Sequence, residues 1–435
     1  MGTLAGMLKS KGHVVAGSDT NVFPPMSDIL KRQKIKVFTP YKALHVKHFK
    51  PDKIVIGNTI KQNNPELEYV VTHETQYLSL PEAIRDEIIK NKKSIVITGT
   101  HGKTTTTAIL GWILKYAGKD PTIFNGGFMR NINSTFEIGG SEHVVIEGDE
   151  YNTSFKDKNS KFLYYKPHIG VINNIEHDHV NIFPTIKSVK NAFSKFAKII
   201  PQNGLLVVNA DNKHVIDVSS ETLSPIITFG IKKGDLRASN IEFDKETSFN
   251  VLHKKHSLGT FLVKLPGRHN VYNAIAAISV AKYLGISTNK IKQALATFEG
   301  VSRRSEILGE KNGKVVINDF AHHPTAIRET LDGLRNMFHG KRLIVLFELA
   351  SSSSKMKIME KPIIKSLKLA DIAYVYNSGE LKSFTKAKLS SKFNVSHNLE
   401  NLLFHLKHDS KPGDIIVMMS SKGFDGLKDK IWGFI

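Results

Sequence analysis

The chain has 435 residues, too many for one ordinary core, and its composition is that of a globular protein, 40% hydrophobic and 23% charged. It contains no cysteine, which excludes a disulfide framework, a thiolate metal site and a thiol nucleophile. The formal charge of +21 admits nucleic-acid binding, but the lysines are scattered, with no basic block and no aromatic-interleaved stripe. That layout fits solvated faces whose field draws in anionic substrates.

From the N-terminus to about Glu87 the chain reads as short α/β units, in which "HVVAGSD" and "KIVIGN" are apolar strands ending in Gly and a polar residue. The start "MGTLAGMLKSKG" lacks a signal-peptide layout, and no apolar run reaches bilayer-spanning length. A soluble cytoplasmic protein with no membrane partner is expected. A stronger βα unit, "SIVITGTHGKTTTTAILGWIL", begins at Ser94. The strands "HVVIEGDE", "HIGVINNIEHDH" and "GLLVVNADN" follow, then "NVYNAIAAISVAKYLG", an amphipathic helix closed by Gly285. A third set comprises "KVVINDFAHHP", a helix opened by Pro324 and running to about Phe338, and the buried-strand candidates "RLIVLFEL", "DIAYVYN" and "DIIVMMSSKG". This alternation predicts parallel sheets covered on both faces, with chemistry at the carboxyl ends of the strands.

Polar clusters do fall at those ends. Thr98 to Gly102 is a glycine-bearing loop between strand and helix, where successive N–H groups form an anion-binding concavity. Lys103 would reach outer phosphates and the Thr104 hydroxyl would ligate Mg²⁺. The usual phosphate-loop spacing wants a glycine at position 97, which is Ile97. Glu147, Asp149 and Glu150 close the next strand, either as Mg²⁺ ligands or as a solvated acidic loop. Glu176, His177, Asp178 and His179 offer a His-x-His pair, although most histidines are not ligands. Arg268, His269 and Asn270 precede a helix, for which Asn270 serves equally as an N-cap. Asp319, His322 and His323 lie between strand and helix, as functional groups or as a plain turn.

In order and context, "GTHGKTTTT", "EGDE", "NNIEHDH", "GRHNVYNAIAA", "VSRR" and "NDFAHHPTAI" resemble the motifs of the Mur ligases, the ATP-dependent amide-forming enzymes of peptidoglycan assembly. The resemblance covers nearly the whole chain, and the family's "GTxGKT" loop accounts for Ile97. It implies an α/β fold of three domains with parallel-rich sheets: a UDP-sugar-binding domain over 1–87, a central P-loop ATPase domain over 88–301, and a Rossmann-like peptide-binding domain over 302–435. The implied cofactors are ATP and Mg²⁺. Gly99, Thr100, His101, Gly102, Lys103, Thr104 and Thr105 would cradle ATP, Asn270 would face the adenine, and Arg303 or Arg304 with Asp319 would close on the nucleotide. Thr104 and Glu147 would hold one Mg²⁺ and His179 a second; Lys103 would stabilise the transferring phosphoryl group, with His323 as a companion.

Two groups in the family carry "AHHP" motifs, one joining L-alanine to UDP-N-acetylmuramate and one joining the tripeptide L-alanyl-γ-D-glutamyl-meso-diaminopimelate. "EGDEYNTSFKDKNSKFLYYKP" (147–167), "NVFPPM" and "MSSKGFDGL" resemble the tripeptide group. The implied partners are these small molecules and no nucleic acid, with oligomeric state open. The alternatives are the L-alanine ligase and a truncated, non-catalytic nucleotide- or nucleic-acid-binding protein. Against the family pattern the chain starts inside the first glycine-rich turn, which implies a missing strand and an incomplete uridine-diphosphate cradle, with Ser18 and Asp19 as the remaining sugar-nucleotide contacts. Leu349 and Ala350 stand where the peptide ligases tend to have Pro and Arg, which puts peptide recognition in doubt. Asn318 replaces a common Asp, and Gly148 replaces Ala, a change expected to be minor.

Overall fold

The computed structural model describes residues 1–178, 182–350, 354–377 and 393–435. Its first part holds the helix Gly2–Ser10 and four short strands, β1 Ala16–Ser18, β2 Lys36–Phe38, β3 Ile54–Ile56 and β4 Tyr77–Ser79. These form two separate parallel pairs, β1 with β2 and β3 with β4.

The middle part is built on ten strands: β5 Lys93–Thr98, β6 Thr122–Met129, β7 Ser134–Glu137, β8 His143–Glu147, β9 Pro167–Ile172, β10 Leu205–Asn209, β11 Ile226–Gly230, β12 Leu236–Phe243, β13 Thr247–His253 and β14 His256–Val263. Their order is β14-β13-β12-β11-β10-β9-β5-β8-β6-β7. Pairing is parallel from β12 to β6 and antiparallel at both edges. The expectation of a parallel-rich sheet holds, with antiparallel pairs confined to the two edges. Near one edge, β12 and β13 alternate buried with partly or fully exposed residues, the signature of a sheet with one wet face.

β5 shows why the middle is parallel. Every residue from Ser94 to Thr98 is buried, and successive side chains leave on opposite faces. Ile95 and Ile97 enter one core, with Ile109 and Ile113 of the helix Lys103–Tyr116 and Ala277 of the helix Arg268–Tyr283. Val96 enters the other, with Phe193 and Phe196. The Arg268–Tyr283 helix was expected to be amphipathic. Instead it is buried on nearly all sides, from Val271 to Ala281, because the sheet, the neighbouring Lys103–Tyr116 helix and the helices Thr288–Ala296 and Pro324–Met337 all pack against it.

The last part is a six-stranded sheet of β15 Glu306–Lys311, β16 Lys314–Asp319, β17 Leu343–Glu348, β18 Ile372–Tyr376, β19 Phe393–Ser396 and β20 Ile415–Met419, in the order β15-β16-β20-β17-β18-β19. Only β15 runs antiparallel, and separate hydrophobic clusters cover the two faces. Pro324 opens the helix Pro324–Met337, as the sequence indicates.

Gly148 follows β8, and its N–H donates to Ile97 O at 2.8 Å. A Cβ there would stand 2.6 Å from Val96 Cγ1, 2.8 Å from Thr98 Cγ2 and 3.2 Å from Phe162 Cβ. The exchange with alanine is thus not minor in this chain, because the space is filled from two neighbouring segments. Gly148→Ala should lower stability by about 1–3 kcal/mol, the usual cost of overpacking. Urea unfolding monitored by circular dichroism measures it, and an unchanged midpoint would refute the packing argument.

Candidate active site

The loop after β5 owes its shape to two glycines at positive φ, Gly99 at 134° and Gly102 at 82°. A Cβ on Gly102 would lie 2.2 Å from Asn273 Oδ1, so the turn is also sterically reserved for glycine. Gly102 caps the Lys103–Tyr116 helix without a side-chain bond, and the first-turn amides have no acceptor within the helix. This is the arrangement that receives phosphate oxygens.

Lys103 is enclosed, with its side chain 8% exposed. Its ammonium donates to Gly99 O at 2.8 Å, Thr100 O at 3.4 Å and Glu150 Oε2 at 3.0 Å. Burial alone would lower its pKa; the carboxylates of Glu150, Asp149 and Glu147 outweigh this and raise it. Lys103 therefore stays charged, turned back on its own loop. Its Nζ lies 5.9 Å from the centroid of the Tyr151 ring, and Lys161 Nζ, 3.3 Å from Asp149, lies 5.5 Å from the same ring.

The Thr104 hydroxyl donates to Glu147 Oε1 at 2.9 Å and accepts from Arg304 at 3.2 Å. Glu147 Oε2 accepts from the Gly126 amide at 2.8 Å. Burial, reinforced by Asp149, raises the Glu147 pKa. A hydroxyl and a carboxylate in contact are the hard oxygen donors that Mg²⁺ takes. Thr100 and Thr105 are buried in the same loop and helix start.

The two arginines have different surroundings. Arg304 reaches the loop, whereas Arg303 donates to Ser420 O and Lys422 O in the segment after β20. The Phe320 ring lies beside both, 5.1 Å from Arg303 and 4.8 Å from Arg304. Asp319, expected at the nucleotide, is buried and occupied. Its carboxylate accepts from the Ser305 amide at 2.6 Å, the Ala321 amide at 2.7 Å and the Thr330 hydroxyl at 3.4 Å. It braces the turn that carries Arg304. Asn270 is not an N-cap; Gly267 holds that position, and the Asn270 amide donates to Pro266 O at 2.8 Å while its oxygen accepts from Asn273 at 3.0 Å. Ser18 ends β1 in the chain's first part, and Asp19 is exposed just beyond it. His179 lies outside the described residues.

His323 caps the Pro324–Met337 helix by accepting the Thr325 amide, and its ring is 5.0 Å from that of His101. Burial first, then His101, pushes its pKa down to about 4. Glu176 accepts from the Thr325 hydroxyl at 2.8 Å. Burial pushes its carboxyl up, but His101 and Thr325 outweigh this and hold it at about 2.

Sequence reasoning passed over an asparagine chain. Asn174 Oδ1 accepts the His101 amide at 2.8 Å and its Nδ2 returns to His101 O at 3.1 Å. Asn173 Nδ2 donates to the Thr106 hydroxyl at 2.9 Å, which donates to Asn273 Oδ1 at 3.2 Å. Two adjacent asparagines at a buried strand's end were the signal, masked by the acid–histidine run after them. Two cavities lie outside the loop itself. One of about 460 Å³ is lined by Asn58, Thr59, Lys61, Asn152, Phe155 and Lys158; one of about 320 Å³ by Phe243, Arg268, Glu329, Asp332, Arg335 and Asn336.

Three α/β parts, with a glycine-turned anion loop in the middle one and an arginine entering from the third, define a multidomain P-loop enzyme. The sequence matches the Mur ligase family catalytic domain over residues 1–92, the Mur ligase middle domain over 97–281 and the Mur ligase glutamate ligase domain over 303–422. The chain belongs to the Mur ligase family, ATP-dependent amide-bond ligases of peptidoglycan biosynthesis. It is 33% identical to the UDP-N-acetylmuramate–L-alanyl-γ-D-glutamyl-meso-2,6-diaminoheptandioate ligase of Haemophilus influenzae, over 99% of this chain and 96% of that one. It is 34% identical to the UDP-N-acetylmuramate–L-alanine ligase of Clostridium tetani, over 97% and 93%. The crystal structure of a murein peptide ligase from Psychrobacter arcticus superposes with a TM-score of 0.78 at 32% identity, covering 100% and 96%. Among the described residues no helix is long and apolar enough to cross a membrane.

Two outcomes test this geometry. Lys103→Ala should cut ligation at least 100-fold, since a charge-stabilising donor is worth about that much. It should also destabilise the fold by about 3–5 kcal/mol, because Glu150, 2% exposed, loses its cation; full activity in a folded variant would overturn the loop's role. Gly333, on the Pro324–Met337 helix, packs backbone to backbone on Gly267, and a Cβ there would come 2.8 Å from Gly267 Cα. Gly333→Ala gains about 1 kcal/mol of helix propensity but wedges the two parts open. Ligation should fall tenfold or more without a lower melting temperature, and unimpaired ligation would show that this contact is dispensable.

Proposed function

We propose that the chain joins the tripeptide L-alanyl-γ-D-glutamyl-meso-diaminopimelate to UDP-N-acetylmuramate, with domain divisions near residues 87 and 301 and the reaction in the cytoplasm. The observation that carries this reading is the segment after "EGDE". Residues 151–164 fold back through an Asn152–Ser160 bridge, bury Phe162, pair Lys161 with Asp149, and wall the 460 Å³ cavity with Asn152, Phe155 and Lys158. That cavity opens between the first and middle parts, and Lys61 and Lys158 suit an anionic sugar nucleotide. The same segment is the one that resembles the tripeptide ligases.

In this reading the reaction runs through an acyl phosphate. The lactyl carboxylate takes the terminal phosphoryl group of ATP, and ADP leaves. The tripeptide amine then attacks the acyl carbon, the tetrahedral adduct expels phosphate, and an amide remains. Loop amides and Lys103 hold phosphate oxygens, so that catalysis is largely positioning and charge neutralisation. Mg²⁺, held by Thr104 and Glu147, would neutralise charge on the phosphates. Arg304 arrives with the third part and closes the site, and closure protects an acyl phosphate from water.

A second reading, L-alanine as the amine, is favoured by one feature. Leu349 and Ala350 are buried apolar residues, 0% and 5% exposed, where an arginine would pair with a peptide carboxylate. ADP release with UDP-N-acetylmuramate present separates the two. Release with tripeptide at least tenfold faster than with L-alanine is expected; the reverse order would replace the first reading with the second.

A further inference from the structure

Three side chains from three separate segments meet at the edge of the phosphate loop: His101 in the loop, Glu176 beyond β9, and His323 at the head of the Pro324–Met337 helix. One donor atom from each, a ring nitrogen of either histidine and a carboxylate oxygen of Glu176, lies within 4.8 Å of the other two. His101 Nε2 stands 3.4 Å from Glu176 Oε2, about the spacing of two ligands on one tetrahedral ion with bonds near 2.0–2.1 Å. The two imidazole rings are 5.0 Å apart and tilted by 39°. His101 Nε2 is buried and makes no hydrogen bond of good geometry. A buried ring nitrogen facing a carboxylate, with a second imidazole across from both, is a donor set in search of a cation.

We propose that His101, Glu176 and His323 form a site for a borderline divalent transition ion of the Zn²⁺ type, joining the central part to the C-terminal part. Two imidazoles and a carboxylate suit such an ion and not Mg²⁺, which takes oxygen donors. The residues are distinct from Thr104 and Glu147, the oxygen pair assigned to Mg²⁺ above. With three protein ligands the fourth position stays open for water or a phosphate oxygen. Binding has one local cost: His323 Nδ1 now accepts the Thr325 amide at 3.3 Å, and a neutral imidazole cannot both accept that bond and ligate through its other nitrogen. The ion therefore displaces this long cap bond, while the Thr325 hydroxyl on Glu176, at 2.8 Å, still tethers the helix. Because His101 and Glu176 belong to the middle part and His323 to the last, an occupied site ties the two parts together and slows any step that needs them to separate.

The test uses the full chain, stripped with chelator, in excess Mg²⁺ to fill oxygen sites, and titrated with Co²⁺ as a visible Zn²⁺ surrogate. One equivalent should bind with the intense visible absorption of a four-coordinate imidazole-containing site. Glu176→Gln and His323→Gln should each weaken it tenfold or more, and His405→Gln, an exposed histidine on another helix, should leave it unchanged. Zn²⁺ should raise the melting temperature of the native chain and not of Glu176→Gln. If His323→Gln fails to fold, Glu176→Gln, whose side chain is 35% exposed, carries the test. Absence of the absorption band, or equal affinity in the native chain and Glu176→Gln, would overturn the site.

Discussion

The Lys103 ammonium sits in a pocket with almost no water, and everything around it is arranged to keep it charged. Two carbonyls of its own loop and the Glu150 carboxylate accept hydrogen bonds from it. A buried ion pair of this kind adds little net stability, because both charges have lost their hydration. What it adds is shape. The lysine side chain bridges back to Gly99 O and Thr100 O and meets Glu150, so it links both glycine turns to the acidic segment after β8. The phosphate loop and the acidic strand end are thus one electrostatic unit.

From that unit the other contacts radiate toward the third part of the molecule. Arg304 touches Thr104, the Thr325 hydroxyl touches Glu176, and Gly333 lies against Gly267. None of the three is strong by itself. Each also ends on a residue that is fixed from behind: Thr104 by Glu147, Glu176 by the Thr100 hydroxyl on its amide, and Gly267 by the buried helix it caps. Closure is therefore read out at the phosphate loop itself, without a relay through intervening side chains.

The parallel strands were legible because each is a continuous apolar run with a polar end: β8, β10, β16, β17, β18 and β20 lie within the stretches the sequence picks out, and β5 and β9 begin one residue earlier than theirs. The antiparallel edges were not, since the alternation in β12 and β13 looks like ordinary surface when read without a partner strand. Motif reading placed Lys103, Thr104 and Glu147 together. It left Arg303 and Arg304 undivided, because neighbours in sequence part only through backbone geometry, here a φ of 63° at Arg303. It overlooked Asn173, Asn174 and Asn273, whose hydrogen bonds span more than 60 residues and have no local pattern.

Tyr151 has its aromatic face near two ammonium groups at once, Lys103 from the loop and Lys161 from the returning segment. The negative face of the ring attracts both cations, while the two ammonium groups repel each other directly. The ring thus lies between the segment that walls the cavity and the lysine of the loop. Moving either cation changes the electrostatic setting of the other, so filling the cavity and charging the loop are not independent events.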